Sequence, residues 1–285
     1  MKYIRIIPRL DIKGPNLVKG IHLEGLRVLG KPDDFAKLYY EQGADELIYQ
    51  DTVASLYQRN NLTDIIVKTA KNIFIPITVG GGLRTLDDIN EVLRAGADKV
   101  AINTAAIQNP DFITEASHTF GSSTIVIAIE AIKQSDNTYL AYTDNGREYT
   151  GVNAISWAKE VEERGAGEIL LTSIDQEGTG NGFDLELIKR VSDYVTIPVI
   201  AHGGAANGSH ISETIKSSGA DAVAIASMLH YAAINNNSRI ISNYDDEGNI
   251  EFLKKKSSFK MFGEWNITQI KAKLNSVDLP IRILN

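Results

Sequence analysis

Short apolar runs rich in isoleucine, valine and alanine alternate with amphipathic segments of helical period along most of this chain. The runs are apolar throughout, which is typical of strands that are buried on both faces of a parallel sheet. They predict eight strands, at residues 4–11, 46–51, 75–79, 99–103, 123–130, 168–172, 198–202 and 222–226. Between them the pattern predicts helices at residues 32–42, 62–71, 86–94, 111–119, 154–164, 184–192 and 209–218.

The second half of the chain repeats the first. The glycine pair Gly81-Gly82 recurs 122 residues later as Gly203-Gly204, and the Gly-Ala-Asp segment that begins at Gly96 recurs 123 residues later at Gly219. A repeat of this length is too long for a solenoid unit. Eight strand–helix units in two similar halves predict an α/β fold, a (β/α)8 TIM barrel with two-fold half-barrel symmetry. The rival, a doubly wound open sheet, lacks the support of a Gly-x-Gly-x-x-Gly turn after the first strand.

The regular pattern ends after the eighth strand. Residues 235–263 precede a last helix with Asn266 as its N-cap, and within them residues 244–249 predict a hairpin turn. We therefore expect one barrel domain over residues 1–285, with an insertion at about 235–263 in the last strand–helix loop. Such a loop lies on the face where barrel enzymes have their active sites, although a tolerated surface excursion is an equal alternative.

Composition excludes several classes of protein. The formal net charge is −7 and the chain has no cysteine. No basic face is evident to neutralise nucleic acid, and disulfides, thiolate nucleophiles and zinc–thiolate sites are excluded. The five histidines show no metal-ligand spacing, so we expect no metal and no cofactor. The first residues form no apolar leader and no run is long enough to span a membrane, which predicts a cytoplasmic protein with no membrane partner.

Two glycine-rich segments predict sites for phosphate groups. Each has a glycine pair at the end of one strand and a small or polar pair at the end of the next. Glycine lets backbone N–H groups approach an anion without a Cβ in the way. The first cradle comprises Gly81, Gly82, Asn103 and Thr104, and the second cradle comprises Gly203, Gly204, Ala226 and Ser227. Two such sites predict a small substrate with a phosphate at each end.

The carboxyl ends of barrel strands meet at one face, which we call the mouth. Asp11 and Glu130 end the first and fifth predicted strands, on opposite walls of an eight-stranded ring. Two carboxyl groups on opposite sides of a reacting centre suit general acid and general base roles if their environments separate their pKa values. Alternatively, they cap helices or pair with Lys13 or Lys19. Further residues expected at the mouth are Lys19, Asp51, Thr172, Glu177 and Thr179.

Charged residues also occur at the opposite ends of the strands. They are Arg5, Glu46, Lys99 and Glu168. Gln50, Asn103 and Thr172 each follow one of these charged residues, namely Glu46, Lys99 and Glu168, by four positions. By period-two alternation each lies on the same face of its strand as that charged residue. At about 3.3 Å per residue the two levels are roughly 13 Å apart. If this face is the interior, the four charges form a ring that closes the barrel beneath the mouth, and we call it the floor ring. A purely structural salt-bridge cluster is the alternative.

Five segments are specific enough to indicate a family. They are residues 7–13 (IPRLDIK), 17–20 (LVKG), 78–82 (TVGGG), 101–106 (AINTAA) and 164–175 (RGAGEILLTSID). Through them, residues 5 to about 231 resemble the cyclase subunit of imidazole glycerol phosphate synthase, a (β/α)8 barrel of histidine biosynthesis. The resemblance implies a lyase with a glutaminase subunit docked on its floor. It also implies that ammonia passes through the barrel to a bisphosphorylated phosphoribulosyl-formimino-aminoimidazole carboxamide ribonucleotide, giving imidazole glycerol phosphate and aminoimidazole carboxamide ribotide.

The resemblance implies roles for single residues. The floor ring corresponds to the family's charged gate for ammonia, and Asp98 corresponds to its docking contact with the glutaminase. Asp11 takes the position of an essential catalytic aspartate, and Lys19 lies in the mobile first loop that closes over substrate. The two cradles match the family's phosphate sites.

Four features depart from the family pattern, and all lie at the mouth or in the first strand. Glu130 and Glu177 stand where aspartate is usual, Arg9 stands where a small residue is usual, and the insertion at 235–263 is an addition. An extra methylene moves a carboxylate by about an ångström, which affects proton transfer. The departures favour an alternative, a paralogue that conducts ammonia from a glutaminase to a separate nucleotide-sugar amidating enzyme of surface-glycan biosynthesis. A sugar-phosphate isomerase of histidine biosynthesis is a third hypothesis, although it has no charged gate.

Overall fold

Eight parallel strands close into a barrel in the computed structural model, which describes residues 3–54, 62–236 and 262–283. The strands are β1 (Arg5–Lys13), β2 (Asn16–Ile21), β3 (Glu24–Gly30), β4 (Leu47–Asp51), β5 (Ile77–Gly80), β6 (Lys99–Ile102), β7 (Ile125–Lys133), β8 (Tyr139–Thr143), β9 (Glu148–Asn153), β10 (Glu168–Ser173), β11 (Val199–His202) and β12 (Ala222–Ile225). Because β7 pairs with β10 and β12 pairs with β1, the ring of β1, β4–β7 and β10–β12 is closed. The predicted (β/α)8 barrel is confirmed, and the open-sheet alternative is wrong.

Helices connect the barrel strands on the outside. They are α1 (Pro32–Glu41), α2 (Thr63–Ala70), α3 (Leu86–Ala95), α4 (Thr104–Gln108), α5 (Asp111–Phe120), α6 (Ala154–Glu163), α7 (Leu185–Ser192), α8 (Gly208–Ser218), α9 (Ser227–Asn236) and α10 (Ile267–Asn275). Asn266 caps α10 as predicted, and Thr85 caps α3 in the same reciprocal way. No helix within the described ranges has the length and apolarity needed to cross a membrane. The predicted turn at 244–249, and all of the predicted insertion except its ends, lie outside the described residues.

Two antiparallel hairpins were not predicted from the sequence. The pair β2–β3 follows the first barrel strand, and the pair β8–β9 follows the fifth. Asn16 and Tyr139, which begin the two hairpins, are 123 residues apart, and so are Gly30 and Asn153, which end them. The hairpins therefore belong to the half-barrel repeat, and both extend from the carboxyl ends of their barrel strands.

Buried apolar side chains form two clusters. The larger includes outward-facing strand residues and the helices that pack on them. The smaller fills the middle of the barrel, and we call it the interior layer; its members are Ile7, Ile48, Ala101, Val126, Ala128, Leu170, Ile200, Ala222 and Ala224. Four of these nine side chains are alanine, so much of the interior layer is lined by single methyl groups.

The repeated Gly-Ala-Asp segments have a structural function. In each, the aspartate precedes a strand and accepts a hydrogen bond from a backbone N–H of the preceding barrel strand. The pairs are Ile6 N to Asp45 at 2.8 Å, Ile77 N to Asp98 at 2.9 Å, and Val199 N to Asp221 at 2.9 Å. Asp98 is exposed, whereas Asp45 and Asp221 are half-buried. The predicted docking residue Asp98 therefore also joins two neighbouring strands.

Candidate active site

The four predicted floor charges form a closed ring of ion pairs at the amino ends of the strands. Arg5 Nη1 lies 2.7 Å from Glu46 Oε1, and Arg5 Nη2 contacts Glu168. Lys99 Nζ lies 3.1 Å from Glu46 Oε2 and 3.1 Å from Glu168 Oε2. Burial alone would lower the pKa of Arg5, but the two carboxylates raise it. Each cation contacts both anions, so the floor ring is electrically balanced.

Two cations and two anions form a second buried cluster at the mouth. Arg9 Nε donates to Asp11 Oδ1 over 2.9 Å, and Lys19 Nζ lies 3.1 Å from Asp11 Oδ2. Lys19 also contacts Glu177. Both oxygens of Asp11 are therefore engaged by cations, and Asp11 does pair with Lys19.

The surroundings of Asp11 fix its charge. Burial alone would raise the pKa of its carboxyl, but Arg9 and Lys19 hold that pKa well below its usual range. Burial would likewise lower the pKa of Lys19, but Glu177 and Asp11 raise it. Asp11 is therefore a carboxylate at neutral pH, and it has no proton to donate.

Arg9 extends from β1 across the barrel to β10 and β11. Its Nη1 donates to Thr172 Oγ1 over 3.2 Å and lies 3.2 Å from His202 Nδ1. Because a guanidinium only donates, His202 accepts through Nδ1 and is neutral. Burial, helped by the charges of Arg9 and Lys19, holds the pKa of His202 well below its usual value. Arg9 thus joins the predicted residues Asp11 and Thr172 into one network.

Glu130 lies on the opposite wall, on β7. It is 5% exposed, and burial raises its pKa to about 7 against the opposing effects of Arg9 and the Gly146 backbone N–H. At neutral pH its carboxyl can both give and take a proton, whereas that of Asp11 cannot give one. The two carboxyl groups thus differ in pKa as an acid–base pair requires.

The first cradle lines an open cavity. Gly81 and Gly82 have φ values of +100° and +75°, and a Cβ on Gly81 would lie 2.4 Å from the Asp51 carbonyl oxygen. The turn therefore requires glycine. These glycines, Asn103 and Thr104 line a cavity of about 240 Å³ that Glu130 also lines. The structure thus brings the first cradle and one predicted catalytic carboxyl together.

The second cradle repeats this conformation but has less space. Gly203 and Gly204 have φ values of +105° and +98°. The four residues of the second cradle line a cavity of only about 10 Å³, which Glu177 and Phe262 also line. Both cradles open at the mouth, but the first has the larger space in this conformation.

The other predicted mouth residues serve local structure. Asp51 Oδ1 accepts hydrogen bonds from the backbone N–H groups of Val53 and Ala54, each at 2.9 Å, and Asp51 lines the first cavity. Thr179 Oγ1 donates to the Gln176 carbonyl oxygen over 2.8 Å and lines neither cavity. Within the described ranges, no group of three or more His, Asp or Glu side chains is placed to hold a metal ion.

The turn between β2 and β3 lies over the mouth. His22 and Leu23 have φ values of +52° and +62°, which are uncommon outside glycine. The His22 N–H donates to the Glu177 carbonyl oxygen over 2.9 Å, and the Leu23 N–H donates to Glu177 Oε2 over 3.1 Å. We call these contacts, together with the Lys19–Glu177 ion pair, the latch. One glutamate therefore holds both the turn and the lysine of the first hairpin.

The turn between β8 and β9 lies beside the first cradle. Asp144, Asn145 and Gly146 all have positive φ, between +52° and +78°. The Asp144 N–H lies 3.3 Å from Thr104 Oγ1, and Asn145 Nδ2 donates to the Leu23 carbonyl oxygen over 3.0 Å. Together with the effect of Gly146 on Glu130, these contacts join the first cradle, the carboxyl and the first hairpin.

Arg9, His202 and the Asp144–Gly146 turn belong to the site but were not predicted as part of it. Arg9 appeared only as a departure from the family pattern, because sequence spacing gives no sign of what a side chain meets across a barrel. The turn did carry a signal, since Asn145-Gly146 between alternating polar and apolar residues is typical of a tight hairpin.

Comparison with known proteins gives the family. The family model described as "Histidine biosynthesis protein" matches residues 5–235. The HisF subunit of imidazole glycerol phosphate synthase from Legionella pneumophila is 62% identical over 204 residues, covering 72% of this chain and 96% of that subunit. The HisF subunits of Bacillus cereus (strain Q1) and Methanococcus vannielii are 48% and 46% identical, each covering 80% of this chain and 90% and 91% of those subunits. The chain therefore belongs to the histidine biosynthesis protein family and groups there with the HisF subunits of imidazole glycerol phosphate synthase.

Proposed function

We propose that the chain is the ammonia-dependent cyclase subunit of an imidazole glycerol phosphate synthase. Its family makes it an enzyme of histidine biosynthesis. In the proposed reaction, ammonia attacks the bisphosphorylated phosphoribulosyl-formimino-aminoimidazole carboxamide ribonucleotide at the mouth. A lyase and ring-closing reaction then yields imidazole glycerol phosphate and aminoimidazole carboxamide ribotide. The observation that carries the proposal is the stacking of a charged floor ring, an apolar interior layer and a polar mouth in one barrel.

Ammonia suits this route chemically. A small neutral molecule enters an apolar layer at little cost, whereas ammonium would lose its hydration there. The floor ring can act as a gate because each of its two carboxylates contacts both Arg5 and Lys99. Breaking the contacts of Lys99 alone would leave Arg5 holding both carboxylates, so the ring can open on one side.

A glutaminase subunit docked on the floor supplies the ammonia in this proposal. The relatives are named as subunits, which supports a partner. Large aromatic side chains are exposed just before three barrel strands, with Tyr3 61%, Phe74 78% and Tyr194 53% exposed. They lie on the same face as the exposed Asp98. Exposed aromatic side chains are enriched in protein interfaces, so this face suits a partner protein.

At the mouth the substrate lies between the cradles, with one phosphate at each. Glu130 donates a proton as the aminoimidazole leaves, because its pKa of about 7 keeps part of it protonated at neutral pH. Asp11 is the general base of the proposal, but Arg9 and Lys19 hold its pKa well below its usual range in this conformation, so it can accept a proton from the attacking nitrogen only after these cations are displaced. The second cradle lines a cavity of only about 10 Å³ in this conformation, and Glu177 of the latch also lines it, so we expect opening of the latch to enlarge the space for a phosphate.

One observation favours a second candidate. Asp11 is paired with both Arg9 and Lys19, and Lys19 is also paired with Glu177. Lys19 and the Nε of Arg9 are therefore engaged inside the protein, which leaves fewer cationic donors for a bisphosphate. A mouth of this kind also fits a barrel that conducts ammonia from a glutaminase to a separate nucleotide-sugar amidating enzyme.

Turnover by the purified barrel separates the two candidates. The assay combines the bisphosphorylated ribonucleotide with an ammonium salt at alkaline pH, so that no partner is needed. We expect turnover, and a loss of about a hundredfold or more in kcat for Asp11→Asn. Glu130→Asp restores the usual aspartate and is the matched variant. Absence of turnover in both the wild type and Glu130→Asp would contradict the cyclase proposal and favour the conduit.

A further inference from the structure

The cavity at the first cradle continues down into the barrel. Its rim is formed by Gly82 and Thr104, whereas Ala101 and Ala128 at its base belong to the interior layer. It is therefore the larger of two cavities where the interior layer meets the mouth, since Ala224 of that layer lines the small cavity at the second cradle. A small molecule that crosses the interior layer emerges into this cavity.

Two residues that line this cavity each have a buried acceptor atom without a partner among the described residues. Glu130 is 5% exposed, and its Oε2 has no hydrogen-bond partner among the described residues. Asn103 Oδ1 is also buried without a described partner. Asn103 Nδ2 donates to the Tyr142 carbonyl oxygen over 3.1 Å, which fixes the amide orientation and leaves Oδ1 as the free acceptor. An unsatisfied buried acceptor costs about 1–3 kcal/mol, so this pair of atoms favours a ligand that donates.

The charges around the cavity point to the same class of ligand. Its lining contains three acidic residues, Asp51, Glu130 and Asp144, and one basic residue, Arg84. The Arg84 guanidinium donates to the Ala54 carbonyl oxygen over 2.9 Å. Arg9, which also acts on Glu130, donates through Nε to Asp11, and its buried Nη2 has no partner among the described residues. Acidic side chains therefore outnumber basic ones around this cavity, which favours a small cation with N–H donors at its base, below the phosphate cradle at its rim.

We propose that Glu130 Oε2 and Asn103 Oδ1 form a docking site at this exit in which ammonia is held as the ammonium ion. The proposal deepens the proposed function, because it takes ammonia to be the molecule that crosses the interior layer. On arrival the ammonia nitrogen takes the proton of the Glu130 carboxyl, which leaves an ammonium ion beside a carboxylate. Return of that proton to Glu130 restores neutral ammonia, which can attack the substrate. The site thereby retains ammonia when no substrate is present.

A crystallographic probe locates the site. Crystals of the full chain are soaked at pH 8 in a thallium(I) or rubidium salt, because these monovalent cations substitute for ammonium and scatter anomalously. We expect a peak within coordination distance of both Glu130 Oε2 and Asn103 Oδ1 in the wild type, and its loss in Glu130→Gln. A wild-type cavity without a peak would overturn the proposal.

Calorimetric titration with ammonium chloride tests the binding in solution, with sodium chloride at equal ionic strength as the reference. We expect Glu130→Gln to weaken ammonium binding by about tenfold or more, equivalent to about 1.4 kcal/mol. Asp144→Asn is the matched control, because it removes a carboxylate from the same cavity but neither docking atom. An equal loss of ammonium affinity in the two variants would mean that binding depends on the total charge of the cavity and not on the two docking atoms, which would overturn the site. Asn103→Ala serves as a second variant if Glu130→Gln does not fold.

These binding experiments need neither substrate nor partner. Turnover without ammonium binding would refute the docking site alone and leave the cyclase proposal standing. Ammonium binding without turnover would support the docking site and contradict the cyclase proposal.

Discussion

Arg9 and Asp11 lie two residues apart on β1, and the Arg9 Nε–H donates to Asp11 Oδ1 over 2.9 Å. Each residue is only 1% exposed. The pair stands between the interior layer and the mouth, at the level where Arg9 also reaches Thr172 and His202. Arg9 therefore keeps Asp11 ionised. Of the two carboxyl groups, Asp11 and Glu130, only that of Glu130 exchanges protons near neutral pH in this conformation.

Arg9→Met should destabilise the fold, because it leaves Asp11 buried with Lys19 as its remaining cationic contact. We expect the free energy of unfolding to fall by about 3 kcal/mol, as is usual when one partner of a buried ion pair is removed. Urea denaturation at pH 7 measures the change. Methionine keeps the unbranched aliphatic part of the arginine side chain but is about two atoms shorter, so the change removes charge, hydrogen bonds and some packing.

The double variant Arg9→Met/Asp11→Asn is the control. Removing both charges together should cost less than the sum of the single changes, with a coupling of about 2 kcal/mol between the sites. Additive losses would show that the Arg9–Asp11 pair does not contribute in the way described.

Glu130 should make stability depend on pH. Its pKa is about 7 in the folded protein against 4.5 in the unfolded chain, so the folded state holds the proton more tightly. This contribution to stability is complete below pH 4.5 and is lost as pH rises through 7. Relative to Glu130→Gln, the wild type should lose about 3 kcal/mol of unfolding free energy between pH 4.5 and pH 8. Parallel stability curves for the two proteins would contradict this account of the Glu130 environment.

Glu177→Asp should release the latch. The shorter side chain cannot reach Lys19 and the Leu23 N–H together, so the left-handed turn at His22 and Leu23 loses a holding contact. Hydrogen exchange of the Leu23 amide should accelerate by about tenfold or more.

Two comparisons define the cause of that change. Glu177→Gln keeps the length of the side chain but not its charge. It should accelerate hydrogen exchange of the Leu23 amide less than Glu177→Asp does. The amide of Arg147, which donates to the Thr143 carbonyl oxygen in the other hairpin, should not change in either variant. Unchanged exchange at Leu23 in Glu177→Asp would show that the latch does not hold the hairpin.

Asp98 has a structural function and a proposed docking function. Asp221 has the same structural function without the docking function, so a variant of Asp221 is the control that distinguishes the two. Each aspartate accepts a backbone N–H at 2.9 Å from the preceding strand. Alanine at either position should therefore lower the unfolding free energy by about 1–2 kcal/mol. Only Asp98→Ala should also weaken binding of the proposed glutaminase subunit, by about tenfold, because Asp98 is the more exposed of the two. Equal effects of the two variants on partner binding would contradict the docking assignment.

Much of the fold could be predicted because the signals were local. Buried parallel strands give continuous apolar runs, and the glycine pairs mark turns that need positive φ, as Gly81 and Gly203 show. The eight barrel strands were predicted within a few residues of their observed bounds. The floor charges could be placed together because period-two alternation and strand order locate a side chain without any knowledge of its partner.

The mouth was less predictable because its contacts join distant parts of the chain. Arg9 meets His202 across 193 positions, and Lys19 meets Glu177 across 158. A single sequence does not report such pairs. The hairpin β2–β3 was missed for a different reason. Its turn uses His22 and Leu23 in place of the Asn-Gly type of signal, and Glu177 stabilises it from another loop.

The central claim, that ammonia enters through the floor and reacts at the mouth, is tested most directly by isotope dilution. The barrel and its glutaminase subunit are given the bisphosphorylated ribonucleotide and glutamine labelled with ¹⁵N in the amide, in the presence of excess unlabelled ammonium chloride near neutral pH. The account predicts that imidazole glycerol phosphate retains nearly all of the glutamine label, because the nitrogen never mixes with the solvent. Product labelled only in proportion to bulk ammonia would contradict passage through the barrel.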